Sequence, residues 1–250
     1  MSLNYEYMLQ RAVTLSSLAH PRILDFGCGQ GQLVKLGLDR GMDIFGVDAF
    51  SDDYHSWRHQ AVEIGEDRIQ SIVGGRIPFD NDAFDVVVAN QVFEHIESPL
   101  PVLIEIARVL RPGGSFLALF PDSSVWFEGH AGLYFVHWMS PRAQRLYLTA
   151  CHRLGFGYYR GTDGAVKWAR AFQASLGYHI FYHSRDQIEQ WWAQAFGQKP
   201  KSIARDWMIF RISASPRHRS LLSIVSSKHL SAGLEFICGV RAGLVLTTHK

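Results

Sequence analysis

The feature that most constrains the fold is an alternation, between residues 22 and 120, of short apolar runs with segments long enough to form a helix. This alternation is typical of an α/β fold in which helices connect parallel strands. Five runs are predicted strands, at 22–26, 43–48, 68–73, 84–89 and 115–120. Several are apolar at successive positions rather than at every second one. The sequence therefore predicts a sheet that is covered by helices on both faces.

The predicted helices follow the strands and have recognisable start signals. Segments 32–40, 52–64 and 99–110 are helix-length, and the last of these begins with Ser98 as a cap and Pro99 in the first turn. Ser184 and Gln187 have the spacing of a capping box and predict a helix that runs to residue 195. Two further strands are predicted at 203–212 and 236–246, with a short helix at 219–228 between them. Residues 1–250 are thus interpreted as a single α/β domain.

Regular alternation stops for about sixty residues after the fifth strand, and this insertion, residues 123–182, is rich in aromatic rings. It contains 14 of the chain's 32 aromatic residues. It also carries five Arg and one Lys against Glu128 and Asp163, a net charge of +4. Either it is a self-packed cap with exposed arginines, or it covers an acceptor site with rings that stack on a flat ligand while Arg binds an anionic group.

Composition excludes several classes of protein. An apolar fraction of 47% and a charged fraction of 19% exclude a disordered chain, and a net charge of +2 gives no basis for nucleic-acid binding. The three cysteines and twelve histidines form no metal-ligand pattern, so no metal is expected. Residues 1–10 lack the apolar run of a secretory leader, so export is not expected, and no apolar run comes near the roughly 20 residues of a membrane span. We expect a cytoplasmic protein.

The first strand leads into Asp25-Phe26-Gly27-Cys28-Gly29-Gln30-Gly31, and a helix begins at once. Glycines at alternate positions let the backbone turn tightly and approach a ligand, while the helix N-terminus presents free amides. The dinucleotide fingerprint is G-x-G-x-x-G, whereas the third glycine here comes one residue earlier. This spacing weakens the case for a nicotinamide cofactor.

An acidic residue, Asp48, ends the second strand, where a carboxylate can accept hydrogen bonds from both hydroxyls of a ribose. Three more motifs follow in order: IPFDNDAFDVVV at 77–88, FEHI at 93–96 and ARVLRPGG at 107–114. Together with the glycine turn, they make residues 22–122 resemble the class I S-adenosylmethionine-dependent methyltransferases that act on small molecules. The resemblance implies a Rossmann-like, mostly parallel sheet of seven strands, the last one antiparallel, and S-adenosylmethionine as the cofactor.

The resemblance also implies roles for individual residues. The turn residues would surround the methionine part of the cofactor, Cys28 through its backbone alone, and Asp48 would bind the ribose. Asn90 and Gln91 would line the cofactor and the methyl-transfer site. Many relatives carry an acidic residue near the adenine, where this chain has Gly74-Gly75-Arg76. Backbone amides around Gly75 are the expected substitute. The residues predicted to bind the cofactor are Asp25, Gly27, Cys28, Gly29, Gly31, Asp48, Ala49, Gly75, Asn90 and Gln91.

Methyl transfer to a hydroxyl requires a base, and three residues are candidates. His95 follows the fourth strand, while Glu128 and His130 lie two residues apart in the insertion. The alternatives are that His95 only packs or caps a loop, and that Glu128 and His130 attach the insertion to the sheet. Neighbouring Glu94 is interpreted as structural.

Three functions are therefore considered. The leading one is methylation of a small or medium-sized acceptor, with O-methylation favoured and a sugar-linked, quinone-like or anionic acceptor all open. The second is a nicotinamide-dependent oxidoreductase. The third is a cofactor-binding subunit that has lost turnover and serves a partner protein.

Overall fold

A computed structural model of the chain describes residues 2–50, 61, 63–65, 67–161, 163–176, 178–216, 222, 233 and 243–250. Most of the predicted helix 52–64 and nearly all of the predicted helix 219–228 lie outside these residues. No helix in the described part of the chain is long and apolar enough to span a membrane.

The core of the molecule is one seven-stranded sheet. Its strands are β1 Arg22–Phe26, β2 Asp43–Asp48, β3 Ile69–Ser71, β4 Phe84–Asn90, β5 Leu110–Phe120, β8 Lys201–Ser202 and β9 Leu244–His249. The order is β3-β2-β1-β4-β5-β9-β8, in which the first five strands are parallel and β9 is antiparallel to both of its neighbours. The predicted sheet of seven strands with an antiparallel last strand is confirmed. Because the order reverses between β1 and β4, their carboxyl ends border a crevice of the kind in which such sheets bind ligands.

Helices cover both faces of this sheet, as the continuous apolar strands predict. The described helices are α1 Leu3–Leu15, α2 Gln32–Leu38, α3 Pro99–Val109, α4 Pro141–Arg153, α5 Ala165–Ser175, α6 Arg185–Phe196 and α7 Ala204–Ser213. On one face α1, α2 and α7 contribute to the core, and on the other α3 and α6 do so. Trp192 of α6 is fully buried and stacks on Phe116 of β5.

The start signal predicted for α6 is complete in the structure, whereas the one predicted for α3 is only partly formed. Ser184 caps α6 in a complete capping box, in which its hydroxyl accepts from the N–H of Gln187 and the Gln187 side chain accepts from the Ser184 N–H. Ser98 does occupy the cap position of α3 with Pro99 next to it, but its side chain makes no capping hydrogen bond.

The predicted strand at 203–212 is wrong, because residues Ala204–Ser213 form helix α7. Its two buried residues, Ala204 and Trp207, are three positions apart, which places them on one helix face against the sheet. A short apolar run without clear alternation fits either element by its periodicity. The sixth strand of the sheet is instead the two-residue β8 that precedes α7.

The insertion folds around a small apolar cluster of its own. A two-stranded hairpin, β6 Phe127–Glu128 and β7 Leu133–Tyr134, leads into α4 and α5. The cluster consists of Ala131, Leu133, Val136, Leu148, Trp168 and Ala169. The aromatic content is therefore partly structural, and the hairpin is left beside the carboxyl edge of the main sheet.

Candidate active site

The glycine turn after β1 has the backbone that its sequence predicts. Gly27, Gly29 and Gly31 all have positive φ values, of 74°, 53° and 75°, which glycine adopts without strain. A Cβ at Gly27 would also lie only 2.6 Å from Cγ1 of Val92. The turn is fixed to the neighbouring strand because the Gly27 N–H donates to the Val47 carbonyl over 2.8 Å.

Asp48 reaches back across this turn from the end of β2. Its Oδ2 accepts from the Gly29 N–H over 2.8 Å, and its Oδ1 accepts from the Phe50 N–H over 3.1 Å. Each carboxylate oxygen can accept a second hydrogen bond. The side chain is thus held in place and retains the capacity to bind two hydroxyls of a ribose.

Asp25 lies at the end of β1 and is only 3% exposed. Burial, and then the charge of Asp48, raise the pKa of the Asp25 carboxyl to about 8. Two acidic groups are thus held near one another in a partly dehydrated place, which favours a cationic ligand. The methionine part of S-adenosylmethionine carries two positively charged groups, an amine and a sulfonium.

Asn90 and Gln91 stand at the end of β4, beside this crevice. The Oδ1 atom of Asn90 is buried and has no hydrogen-bond partner among the described residues. A buried amide oxygen without a partner is costly, so a ligand that donates to it is favoured. Gln91 adopts a left-handed φ of 57°, and its N–H donates to the Leu119 carbonyl over 2.7 Å.

The other predicted cofactor residues are placed less decisively. The Cys28 side chain is buried and packs towards Gly46, so only its backbone faces the turn. Ala49 is exposed directly after Asp48. Gly75 lies in a two-residue Gly-Gly turn between Val73 and Arg76, with open space around both glycines.

A cavity of about 270 Å³ opens between the carboxyl edge of the sheet and the insertion. It is lined by residues of both parts: Gln91, Glu94, His95, Pro121, Val125, Phe127, Gly129, His130 and Tyr182. Gln91 connects this cavity with the crevice at Asn90. The structure therefore brings two of the three predicted catalytic residues, His95 and His130, to one cavity.

His130 and Glu128 form a hydrogen-bonded pair at the wall of this cavity. The Nδ1 of His130 lies 2.7 Å from Oε1 of Glu128. Burial opposes protonation, but the bond to Glu128 and its charge raise the pKa of His130 above the ordinary value. Because Nδ1–H donates to the carboxylate, Nε2 is the nitrogen that can take up a proton.

Glu128 itself is fully buried, so it acts on the site only through its partners. Its carboxylate accepts from the Tyr182 hydroxyl over 2.7 Å and from the Ala131 N–H. Burial favours the neutral acid, but the hydrogen bonds from His130 and Tyr182 outweigh it and lower the pKa of Glu128. These partners, His130, Ala131 and Tyr182, all lie within the insertion, so the carboxylate joins two ends of the insertion and orients His130.

His95 is held differently. Its Nδ1 lies 2.6 Å from the His179 carbonyl, which can only accept, so Nδ1 carries the hydrogen and Nε2 the lone pair. Burial lowers the pKa of His95, and the ring of His130 lies perpendicular to it with 5.3 Å between centroids. A neutral histidine therefore stands next to a more basic one.

Sequence reasoning missed two residues of this cavity, Glu94 and Tyr182. Glu94 is 1% exposed, its Oε2 has no partner among the described residues, and burial raises its pKa to about 8. A neutral Glu94 can donate a hydrogen bond to a ligand. Its signal was an acid between Phe93 and His95, shortly after the apolar strand β4, whereas Tyr182 reaches Glu128 across 54 positions of sequence and gives no local signal.

Residues 24–118 match the family model described as a methyltransferase domain. This match spans the glycine turn, Asp48, Asn90, the whole of β2, β3 and β4, and most of β1 and β5. Residues 24–118 form a class I methyltransferase domain. The early third glycine, which disfavoured a nicotinamide cofactor, agrees with this assignment.

Two curated relatives of the domain carry the same name. A ubiquinone biosynthesis O-methyltransferase of Pectobacterium atrosepticum is 29% identical over 140 residues, covering 54% of this chain and 57% of the relative. The protein of that name from Vibrio cholerae serotype O1 (strain M66-2) is 32% identical over 114 residues, covering 45% of each chain. This chain thus spans about half the length of the curated relatives it matches.

Solved structures extend the likeness to the whole chain at the level of fold. An S-adenosylmethionine-dependent methyltransferase from Mesorhizobium loti is 15% identical and covers all of both chains with a TM-score of 0.54. The [4+2]-cyclase SpnF, also 15% identical, covers 98% of this chain and 81% of its own with a TM-score of 0.51. One fold therefore accompanies different named activities, and the activity has to be argued from the site.

The methyltransferase domain and its fold imply S-adenosylmethionine as the cofactor. The residues present fit it: Asp48 retains acceptor capacity for a ribose, Asp25 lies in a place that favours a cation, and the Asn90 amide oxygen lacks a partner. In the described part of the chain, no group of three or more His, Cys, Asp or Glu side chains could hold a metal ion.

Proposed function

We propose that the protein is an S-adenosylmethionine-dependent methyltransferase that methylates a hydroxyl group of a small or medium-sized acceptor. The acceptor occupies the 270 Å³ cavity beside Gln91. The observation that carries this proposal is that His130, hydrogen-bonded to the buried Glu128, lines a cavity next to the crevice of a methyltransferase domain. A hydroxyl has to lose a proton on methylation, and this pair is built to accept one.

The bound cofactor supplies a methyl group on a positively charged sulfur, so the protein has to align the acceptor and accept its proton. His130 takes the proton on Nε2, while Glu128 fixes the tautomer and stabilises the resulting imidazolium. Neutral Glu94 donates a hydrogen bond to a second oxygen of the acceptor. Pro121, Val125 and Phe127 supply an apolar wall, which favours an acceptor with a hydrocarbon or ring face.

The first experiment tests the cofactor site by isothermal titration with S-adenosylhomocysteine. Wild-type protein is expected to bind with a dissociation constant in the micromolar range. Asp48→Ala should weaken binding more than tenfold, or by about 1.4 kcal/mol, because it removes the ribose acceptor and frees the Gly29 N–H. Asp43→Ala, at the opposite end of β2, is the matched control and should bind normally. Unchanged affinity in Asp48→Ala would remove that residue from the site.

The second experiment identifies the acceptor and the base. Cell extract is incubated with methyl-labelled cofactor, and the labelled product identifies the acceptor. Turnover is then measured with that acceptor. His130→Gln should lower turnover by about 10²-fold or more while cofactor affinity is kept, whereas the exposed His20→Gln should do neither. Normal turnover in His130→Gln would refute the assignment of the base. Cofactor binding without turnover, together with a stable partner protein on purification, would instead favour the non-catalytic subunit.

A further inference from the structure

The insertion presents an exposed surface at residues 153–160, none of which lines the 270 Å³ cavity. Its sequence, Arg-Leu-Gly-Phe-Gly-Tyr-Tyr-Arg, places large apolar residues between two arginines. Leu154, Phe156, Tyr158 and Tyr159 are 73%, 61%, 52% and 90% exposed. Large apolar residues gathered in one exposed patch mark a binding surface rather than ordinary protein exterior.

Backbone geometry holds these side chains outward. Gly155 and Gly157 have left-handed φ values of 87° and 97°, which turn the chain between the apolar residues. The Phe156 N–H donates to the Cys151 carbonyl over 2.9 Å, and the Tyr158 N–H donates to the Ala131 carbonyl over 2.8 Å. A Cβ at Gly157 would lie 3.0 Å from the buried ring of Trp168. The segment is thus attached to the small core of the insertion by its backbone, and its large side chains remain more than half exposed.

Positive charge surrounds the same surface. In the described part of the chain, Arg153, Arg160 and Arg170 form no ion pair, while Lys167 pairs with Asp163 over 2.8 Å. Two open cavities of about 650 and 710 Å³ meet at His152, and these cations line them. The occupant must therefore bring both negative charge and an apolar interior.

We propose that the 153–160 surface docks on a bilayer of anionic phospholipids. Tyrosines and arginines suit the headgroup region, where the arginines meet lipid phosphates, and the apolar side chains of Leu154 and Phe156 enter the acyl boundary. Aliphatic Leu154 and the neighbouring Val166, 44% exposed, have no planar face with which to stack on nucleic-acid bases. A symmetric contact with a second copy would place two sets of these three unpaired arginines in one interface, where like charges repel.

Docking there would hold the cavity that contains His130 close to the membrane. Tyr158 bonds to Ala131, whose N–H in turn donates to Glu128. The surface and the acceptor cavity thus share one small unit. Membrane docking is independent of the proposed function. Vesicle binding and cofactor binding are measured separately in every variant, so one can fail while the other holds.

The test is co-sedimentation of the full chain with phosphatidylcholine vesicles and with equimolar phosphatidylcholine and phosphatidylglycerol vesicles. We expect binding to the anionic vesicles alone, weakened by salt. The apolar variant Leu154→Ser/Phe156→Ser/Tyr159→Ser and the charge variant Arg153→Gln/Arg160→Gln should each lower the partition coefficient at least about tenfold. Ile104→Ser and Lys35→Gln/Lys201→Gln are exposed matched controls outside the insertion and should bind like the wild type. All variants should keep their affinity for S-adenosylhomocysteine.

Two results would overturn the proposal. One is equal sedimentation of wild type and both variants on anionic vesicles. The other is absence of vesicle binding together with a concentration-dependent dimer, seen by light scattering, that the apolar variant abolishes. The second result would assign the surface to contact between copies.

Discussion

Asp25→Asn is expected to stabilise the ligand-free protein while abolishing cofactor binding. The folded-state pKa of Asp25, about 8, lies above its ordinary value of 3.8. At a pH between these two pKa values, the Asp25 carboxyl is ionised in the unfolded chain and protonated in the folded chain. Folding stability is therefore lost as pH rises through this window, by about 1.4 kcal/mol per pH unit. From pH 4 to pH 7 the loss is about 4 kcal/mol.

Asparagine has nearly the same shape as aspartic acid and cannot ionise, so the variant does not lose folding stability as pH rises. Thermal unfolding of wild type and Asp25→Asn should give similar melting temperatures near pH 4. The difference should widen towards pH 7 to the order of 10 °C in favour of the variant. Titration with S-adenosylhomocysteine at pH 7, in buffers of different ionisation enthalpy, should show release of nearly one proton on binding to the wild type. The variant should show no binding.

Asp85→Asn is the matched control, since Asp85 is also buried but has its partners. It accepts from the Arg22 N–H over 2.6 Å and pairs with Arg111 over 2.5 Å. Its replacement should lower the melting temperature at pH 7, the opposite sign. A melting-temperature difference between wild type and Asp25→Asn that stays constant from pH 4 to 7, or a binding reaction with no proton release, would refute the reasoning.

Two further predictions concern the turn and the base. Gly27→Ala should reduce the free energy of unfolding by about 1–3 kcal/mol more than Gly41→Ala, because both have positive φ but only Gly27 faces a side chain, Val92. Urea unfolding measures this, and Val92→Ala in the same chain should restore most of the excess; no rescue would contradict the stated clash. Glu128→Gln should lower the pKa of His130, so the acid limb of the pH–rate profile should move to lower pH as the maximal rate falls. If the acid limb stays at the same pH in Glu128→Gln, His130 is not the group that accepts the proton.

Much of the fold could be predicted because its signals are local. The five apolar strands between residues 22 and 120, the glycine turn and the Ser184 capping box each occupy a few neighbouring residues and were placed correctly. The strand predicted at 203–212 was wrong because the spacing of its apolar residues fits a strand and a helix about equally well. Burial of Ala204 and Trp207 on one face against the sheet decided for the helix.

The candidate site was only partly predictable, for a different reason. His95 and His130 could be named from their residue type and position, yet their meeting in one cavity depends on how the insertion folds back. The same holds for Tyr182, which reaches Glu128 only in the folded chain. Glu94 was interpreted as structural, and its unpartnered oxygen could be recognised only from burial.

The most direct test of the central claim is a turnover measurement with methyl-labelled S-adenosylmethionine and cell extract, followed by identification of the labelled group by mass spectrometry and NMR. We predict one product methylated on oxygen, formed by the wild type and by His20→Gln, and strongly reduced with His130→Gln and with Asp48→Ala. A product methylated on nitrogen or carbon, or no product from folded protein that binds S-adenosylhomocysteine, would contradict the account.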